Sequence, residues 1–353
     1  MLALIIFVAV VDIFLHEGAD AGEKILAAGG IGEIHVAVAP MARAMITRPA
    51  ARERAEGSRA FPRRVQPAKL RGHCKGALPV TANYDAADLV IADMARALEN
   101  ASRPLVYGIA GAQGAGKSTI ARAALARFQA EGRKVAALSI DDLYFGREER
   151  RRIAARLHPL FITRGPPGTH DVERGVSIVG AVKASRSARL PRFSKALDEP
   201  LAMTEWEDAP SDLDLLIFEG WCLGARPEAY EALGKPINVL EEVFDANGRW
   251  RRAVNTALAG AYQGLFARID RLAYLRPPAF EIVKQWRWEL ELAIAAHRPT
   301  GDAPGLLDVD EIDFFVQHYE RITRGMMAAL PDQADLTIQL DEHRRVVGSF
   351  ARG

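Results

Sequence analysis

The stretch "GAQGAGKS", residues 111–118, constrains the fold of this chain more than any other feature of its sequence. It fits the pattern G-x-x-x-x-G-K-[ST], follows the apolar run "PLVYGIAG" (104–111) and opens the Ala-rich stretch "KSTIARAALARFQAEG" (117–132). A strand, a glycine-rich loop and a helix in this order form a phosphate-binding loop, because backbone N–H groups and the helix N-terminus surround phosphate oxygens. A glycine-rich turn without a ligand is the alternative, and the full pattern in this context argues against it.

Further apolar runs and helical stretches extend this pattern along the chain. The runs with strand character are 134–140, 213–220, 271–276 and 334–341, the last followed by "RRVVGSF", which predicts a terminal strand and a hairpin. Apolar spacing predicts helices at 84–100, 250–269 and 278–297. Strands that are apolar throughout and alternate with helices predict an α/β fold, in which a mostly parallel sheet is flanked by helices on both faces.

The phosphate loop also predicts the nucleotide and its metal. Lys117 has the reach to bind the β- and γ-phosphates, and the Ser118 hydroxyl is a ligand for Mg²⁺. The chain contains no N-K-x-D motif, the guanine-reading element of GTPases, so ATP and Mg²⁺ are the predicted cofactors. The residues predicted to bind ATP are Gly111, Ala112, Gln113, Gly114, Ala115, Gly116, Lys117, Ser118 and Thr119.

Acidic residues follow two other predicted strands. Asp141 and Asp142 follow the strand at 134–140, and Glu219 comes near the end of the strand at 213–220. Ligands of open α/β sheets bind outside the carboxyl ends of the strands, so these carboxylates should lie beside the phosphate loop. Asp141 is the predicted base for an acceptor hydroxyl, with helix capping as the alternative for an Asp at this position. The predicted metal ligands are Ser118, Glu219 and Asp142.

Five separated motifs, in this order, resemble the glycerate kinases of the plant and fungal type. They are "GAQGAGKST", "SIDDLY", "TRGPPGTHD", "LPRFSK" and "FEGWCLG". The resemblance spans roughly residues 80–348, and the family is related to uridine kinase, phosphoribulokinase and pantothenate kinase. It implies the P-loop NTPase fold with a helical lid. It also implies transfer of the γ-phosphate of ATP to a hydroxyl of a small hydroxy acid, D-glycerate giving 3-phosphoglycerate.

The resemblance places the loop "TRGPPGTHD" (163–171) over the acceptor, and the chemistry of the loop agrees. Pro166 and Pro167 restrict the backbone, and Arg164 offers a planar fork for a carboxylate. A proline-stiffened structural turn is the alternative. The residues predicted to bind the acceptor are Arg164, Gly168, Thr169, His170, Asp171, Arg192 and Lys195.

Kinases of this group close a lid whose arginines neutralise charge on the transferred phosphoryl group. Arg287 is the predicted lid arginine and Arg298 a second candidate, whereas an ion pair between Arg287 and Glu291 is the alternative. The predicted catalytic residues are therefore Asp141, Lys117 and Arg287.

The motif "LPRFSK" departs from the family, which has Tyr-Asp-Lys where this chain has Phe193, Ser194 and Lys195. The departure leaves the acceptor open: a nucleoside, a pantothenate-like acid or another sugar acid remains an alternative to glycerate. Outside the kinases, the alternative is an ATP-dependent assembly factor or regulator that responds to a protein partner.

The first 78 residues differ in texture from the rest. The opening run "MLALIIFVAVVDIFL" is shorter than the roughly 20 residues of a spanning helix, and Asp12 interrupts it. Residues 43–75 then carry ten Lys or Arg, whereas residues 76–353 are nearly balanced, which argues against a nucleic-acid groove in the main body. We predict an N-terminal extension (1–78), disordered or reflecting a start codon placed too early, and a kinase domain (79–353) with insertions at about 145–210 and 278–300. An export signal and a basic tail that binds nucleic acid or acidic lipid are the weaker alternatives.

Two cysteines in 353 residues are too few for a disulfide framework. The predicted location is cytoplasmic, with no membrane contact and a small molecule as the partner.

Overall fold

The computed structural model describes residues 85–100, 104–296 and 309–352. The predicted N-terminal extension and the lid candidate Arg298 lie outside these ranges. None of the helices within them combines the length and the apolar character that crossing a bilayer requires.

Ten strands and eight α-helices occur in the described ranges. The strands are β1 (Leu105–Gly111), β2 (Val135–Ser139), β3 (Ala188–Leu190), β4 (Phe193–Ser194), β5 (Glu199–Pro200), β6 (Glu207–Ala209), β7 (Leu215–Gly220), β8 (Arg271–Arg276), β9 (Leu336–Leu340) and β10 (Val346–Ala351). The helices are α1 (Ala86–Asn100), α2 (Lys117–Ala130), α3 (Arg147–Arg156), α4 (Val172–Lys183), α5 (Arg249–Ala257), α6 (Gln263–Phe266), α7 (Glu281–Ala296) and α8 (Val309–Ala329).

Six strands form one sheet in the order β10-β9-β8-β1-β7-β2. β1 lies in its interior, parallel to both β7 and β8, and the terminal strand β10 runs antiparallel to β9. The predicted α/β class, with a mostly parallel sheet and a terminal hairpin, is confirmed. Because β1, β2 and β7 are parallel neighbours, the loops that follow them leave the sheet at the same edge.

Alternation along the strands gives the sheet a core on each face. Val106 and Phe218 belong to one buried cluster, whereas Tyr107, Ile109 and Ile217 belong to the cluster on the other face. Successive side chains of a strand point to opposite faces, so a strand that is covered on both sides must be apolar at every position. This is why the central strands read as continuous apolar runs.

The predicted helix at 250–269 is interrupted. It consists of α5, a π-helical segment at Leu258–Tyr262 and the short α6, and Gly260 inside the segment has non-helical φ/ψ of −89° and −123°. The interruption lies just before Tyr262, whose hydroxyl contacts the 163–171 loop. The predicted insertion at 145–210 contains α3, α4 and the antiparallel pairs β3–β6 and β4–β5.

Candidate active site

The phosphate loop connects β1 to α2, as the sequence predicts. In this structure the Lys117 ammonium donates to the backbone oxygen of Ala112 at 3.0 Å. Burial lowers the pKa of Lys117, although the charges of Glu219 and Asp141 act in the opposite direction. The negative charge near Lys117 therefore does not offset the loss of hydration of its ammonium. Phosphate oxygens bound above the loop would supply further negative charge.

Ser118 and Glu219 lie together at the carboxyl edge of the sheet. The Ser118 hydroxyl donates to Oε1 of Glu219 at 2.8 Å; Ser118 is exposed, whereas Glu219 is buried at the end of β7. A hydroxyl and a carboxylate are hard oxygen donors, and Mg²⁺ usually binds one or two such groups together with phosphate oxygens. These two residues fit a nucleotide-bound magnesium ion.

Asp141 lies in a short 3₁₀ turn, Ile140–Leu143, directly after β2. The Lys195 ammonium is 2.7 Å from one carboxylate oxygen of Asp141, and the Tyr144 hydroxyl donates to the other at 2.8 Å. Burial alone would raise the pKa of Asp141, but the charge of Lys195 and these hydrogen bonds prevail and lower it to about 2. Asp141 is therefore an ionised acceptor at neutral pH, and its charge acts to raise the pKa of Lys117.

Asp142, predicted as a metal ligand, has its oxygens engaged elsewhere. They accept the N–H groups of Ser139 at 3.1 Å and Phe193 at 3.2 Å, and Arg192 approaches at 3.3 Å. The carboxylate caps the turn after β2 and ties it to β4, the alternative that the sequence offered for an Asp here. These contacts favour a structural role, and the metal role of Asp142 stays a prediction.

The 163–171 loop is joined to the turn that carries Asp141. The N–H of Phe145 donates to Thr169 O at 3.0 Å, and the N–H of Asp171 donates to Leu143 O at 2.7 Å. The stretch around Thr169 to Asp171 therefore runs beside residues 143–145, the continuation of the Asp141 turn. A displacement of either segment would therefore move the other through these hydrogen bonds.

Aromatic side chains from distant elements brace the start of this loop. The Tyr319 hydroxyl of α8 donates to Arg164 O at 2.9 Å, and the Trp221 indole donates to Gly165 O at 3.2 Å. Gly165 has φ of +123°, and an added Cβ would lie 2.1 Å from the Tyr319 hydroxyl. The loop therefore needs glycine at position 165 for both its conformation and its close approach to α8.

Replacing Gly165 by alanine should therefore lower the free energy of unfolding by about 2–4 kcal/mol, from overpacking and unfavourable φ together. Gly132→Ala is the matched control, because Gly132 has φ of +77° but nothing within 4 Å of an added Cβ. Urea denaturation of both variants measures the difference. Equal destabilisation would contradict the close packing of Gly165 on Tyr319.

An ion cluster behind the loop was missed by sequence reasoning. Asp198 pairs with the buried Arg150, at 2.6 Å, and with Arg164. Arg150 also donates to the backbone oxygens of Phe145 and Ile162. Asp198 thus fixes the direction of the Arg164 fork from 34 residues away, a separation at which no local pattern signals a contact.

His170 is part of an aromatic group next to Asp141. Its Nδ1 lies 2.6 Å from the Tyr262 hydroxyl, and its ring stacks on Tyr144 with centroids 4.6 Å apart. The Tyr262 oxygen accepts from the N–H of Gly168, so its own hydrogen is free for Nδ1 of His170. Burial lowers the pKa of His170 to about 4, which makes the ring neutral at pH 7. A cavity of about 330 Å³ borders His170 and Tyr262.

Three residues predicted to bind the acceptor make hydrogen bonds and ion pairs within the protein instead. The Thr169 hydroxyl donates to Pro166 O and accepts from the N–H of Gly165, inside the loop. Asp171 caps α4 and pairs with Arg174 at 2.7 Å, and Arg192 contacts Glu207 and the Ala137 carbonyl. Because these groups are engaged within the protein, their contact with an acceptor stays a prediction that the geometry does not favour.

The predicted lid arginine is held on its own helix. Arg287 pairs with Glu291 and lies over the Phe315 ring, 5.3 Å from its centroid; its side chain is 14% exposed. This is the ion pair that the sequence offered as the alternative. A catalytic role for Arg287 would require both contacts to break.

Two proteins of known sequence are similar to this chain over most of its described length. The chloroplastic D-glycerate 3-kinase of Arabidopsis thaliana is 27% identical over 263 residues, which are 69% of this chain but only 54% of that protein, so the chain spans about half its length. The uncharacterized kinase mug58 of Schizosaccharomyces pombe is 30% identical over 266 residues, 69% of this chain and 90% of that protein. The chain belongs to the D-glycerate 3-kinase-like family of P-loop kinases. It is a phosphotransferase that acts on a small molecule, as the sequence predicts.

Solved structures share the fold of this family member. A D-glycerate 3-kinase from Cryptococcus neoformans var. grubii has a TM-score of 0.60 at 22% identity, over 75% of this chain and 97% of that one. The YGR205w protein has a TM-score of 0.62 at 19% identity, over 76% and 99%. The sequence model of a family described as "Methylmalonyl Co-A mutase-associated GTPase MeaB" matches residues 82–143. This range includes α1, β1, the phosphate loop, α2 and β2. That match spans the phosphate-binding part, which GTPases and kinases share.

Proposed function

We propose that this kinase transfers the γ-phosphate of ATP to a hydroxyl of a small hydroxy acid, with D-glycerate as the acceptor and 3-phosphoglycerate as the product. The observation that carries the proposal is the position of Asp141. Its ionised carboxylate accepts from Tyr144, whose ring stacks on His170 of the 163–171 loop, and its charge raises the pKa of Lys117 in the phosphate loop. The proposed base is thus in contact with the loop that carries acceptor-type side chains and acts by its charge on the nucleotide loop.

Different residues would bind the nucleotide and the metal ion. Lys117 would bind the β- and γ-phosphates, and the N–H groups of residues 111–118 would surround the phosphate oxygens. Ser118 and Glu219 would hold Mg²⁺ through their oxygens. The metal would supply charge neutralisation on the transferred phosphoryl group.

Asp141 would accept the proton of the acceptor hydroxyl as that oxygen forms its bond to the γ-phosphorus. The bond between the γ-phosphorus and the bridging oxygen breaks, and ADP leaves with that electron pair. Phosphoryl transfer needs little covalent help from the protein, so positioning and charge neutralisation by these residues would supply most of the rate.

The cations near Asp141 support an acidic acceptor. Lys195 is 63% exposed and bonded only through its flexible ammonium to Asp141, and the Arg164 side chain is 22% exposed above the Phe193 ring. Both cations already pair with a carboxylate, Lys195 with Asp141 and Arg164 with Asp198, so an acceptor carboxylate would have to share them with these partners. This arrangement favours a hydroxy acid over a neutral nucleoside.

An acceptor panel tests the proposal, with ADP release as the readout and mass spectrometry of the product. D-glycerate should stimulate ADP release, and glycerol, which keeps the hydroxyls but lacks the carboxylate, should have a kcat/KM about 100-fold lower. Pantothenate, uridine and other sugar acids complete the panel. Glycerol used as well as D-glycerate, or release stimulated by no acceptor, would contradict the proposal.

The nucleotide is tested in the same assay by exchanging ATP for GTP. We propose ATP, since the guanine-reading motif is missing from the sequence. The cytoplasmic location and the boundary between extension and kinase domain stay predictions.

A further inference from the structure

Hydrogen bonds within the turn between β9 and β10 fix the backbone of Arg344. Oδ1 of Asp341 accepts the N–H groups of His343 and Arg345, both at 2.9 Å, and the N–H of Arg344 donates to Asp341 O at 3.0 Å. Arg344 itself has φ of +63°, a left-handed conformation that residues other than glycine adopt infrequently. The parallel strand β9 ends at the same sheet edge as β1, so this turn lies on the side of the phosphate loop.

The Arg344 side chain reaches the phosphate loop. Its Nε donates to the backbone oxygen of Gly114 at 2.6 Å, and its Nη1 is 2.7 Å from Glu289 of α7. The guanidinium also lies over the Trp286 ring, 5.0 Å from its centroid. Three contacts of different kinds therefore fix this guanidinium against Gly114.

Gly114 is in turn packed on α7. It has φ of +77°, and an added Cβ would lie 2.7 Å from Cβ of Trp286. The Trp286 indole donates to Glu342 O in the hairpin turn at 2.8 Å. The phosphate loop, α7 and the turn thus form a closed set of contacts.

Fixing the Gly114 carbonyl has a direct effect on the loop. A trans peptide is planar, so the direction of Gly114 C=O determines the opposite direction of the Ala115 N–H. That N–H donates to Ala112 O at 3.2 Å, the oxygen that also accepts the Lys117 ammonium at 3.0 Å. Arg344 therefore acts, through one peptide unit, on the turn that positions Lys117.

We propose that Arg344 is a positioning residue for the nucleotide phosphates. It holds residues 112–115 in the shape that binds phosphate, so that the loop loses little conformational freedom on binding, and it ties that shape to α7. The inference rests on the nucleotide part of the proposed function and is independent of the acceptor.

The test uses Arg344→Asn, because asparagine accepts a left-handed conformation and keeps the turn while the guanidinium is lost. Titration with mant-ADP and Mg²⁺ should show a Kd about tenfold higher than that of the wild type, and about threefold higher for Arg344→Lys, which keeps the charge but loses the fork. The KM for ATP should rise in the same ratio, with kcat at saturating ATP within about threefold, and the Tm should fall only slightly from loss of the guanidinium contacts. Arg345→Asn is the matched control: Arg345 lies in the same turn, is 74% exposed and pairs with Asp341, and its Kd should stay within about twofold of wild type.

Two further readouts separate positioning from other roles. Glu289→Gln should weaken mant-ADP binding, and its effect should largely disappear in the Arg344→Asn background, because both residues act through the same guanidinium. ATP and GTP should lose affinity by the same factor in Arg344→Asn. An unchanged Kd for mant-ADP, a loss confined to ATP, or a fall in kcat alone would each overturn the inference. A wild-type protein that bound no mant-ADP would instead contradict the proposed function.

Discussion

Replacing Asp141 by asparagine should lower kcat about 100-fold or more while the Kd for the nucleotide changes little. Asparagine keeps the size of the side chain and an oxygen that can accept from the Tyr144 hydroxyl, which is 2.8 Å away in the native protein. It cannot take a proton from the acceptor. The measurement is acceptor-dependent ADP release at saturating ATP, beside a nucleotide titration of the same variant.

The control for this variant is Asp208→Asn. Asp208 pairs with Arg189 across the β3–β6 pair and its side chain is 80% exposed, so the same chemical change there should leave kcat within about twofold. Asp141→Asn also removes the partner of Lys195, and Lys195→Met separates the two effects. Lys195→Met should raise the KM for the acceptor more than it lowers kcat. Turnover by Asp141→Asn close to wild type would remove Asp141 from the mechanism.

The parts of the site that could be predicted are those set by local sequence and by the rule for parallel sheets. The phosphate loop is contiguous, so its pattern alone locates the loop between β1 and α2. Glu219 and Asp141 follow apolar runs, and the common direction of β2 and β7 brings both to the loop.

The remaining parts depend on contacts between distant residues. Asp198 reaches Arg164 and Arg150, and the Tyr262 and Tyr319 hydroxyls reach the 163–171 loop from 92 or more residues away. A sequence shows that such polar groups exist but does not show which of them pair.

The same limit applies to polar side chains that can serve either a ligand or the fold. Thr169, Asp171, Arg192 and Asp142 have the chemistry of ligand-binding groups, and that chemistry equally suits helix caps and loop contacts. Only the fold decides which use each side chain has. For Arg287, likewise, an i,i+4 partner in the sequence already offered the pairing with Glu291 that the structure has.

The 163–171 loop, which we propose binds the acceptor, and the phosphate loop are both held in place by contacts with other elements. The 163–171 loop is braced by Trp221 and Tyr319, and the phosphate loop by Trp286 and Arg344. Asp141 contacts Tyr144, which stacks on His170 of the first segment, and its charge acts on Lys117 of the second. Since phosphoryl transfer depends on the distance and alignment of two substrates, preformed loops on both sides reduce what must be ordered at the moment of reaction.

Replacing Lys117 by methionine should lower kcat/KM about 100- to 1,000-fold, the effect of losing one preorganised charge donor to the reacting group. Methionine is similar in length and fills the same space, so the loop keeps its packing. Nucleotide affinity should fall as well, because in the proposed mechanism Lys117 binds the β- and γ-phosphates before and during transfer. ADP release and mant-ADP titration measure the two losses, with Lys134→Met as the control, since Lys134 precedes β2 at the opposite end of the sheet and is 55% exposed.

The thermal stability of Lys117→Met should rise, although its activity falls. Burial lowers the pKa of Lys117 in the folded protein, which means that the nearby carboxylates do not fully compensate the loss of hydration of its charge. Methionine removes that cost, so the Tm without nucleotide should rise while activity is lost. Addition of ATP and Mg²⁺ should then stabilise the wild type but hardly the variant, because a ligand raises stability only as far as it binds the folded state. A lower Tm together with lost activity would point to a structural role for Lys117, and a variant with normal turnover would contradict the phosphate-loop assignment.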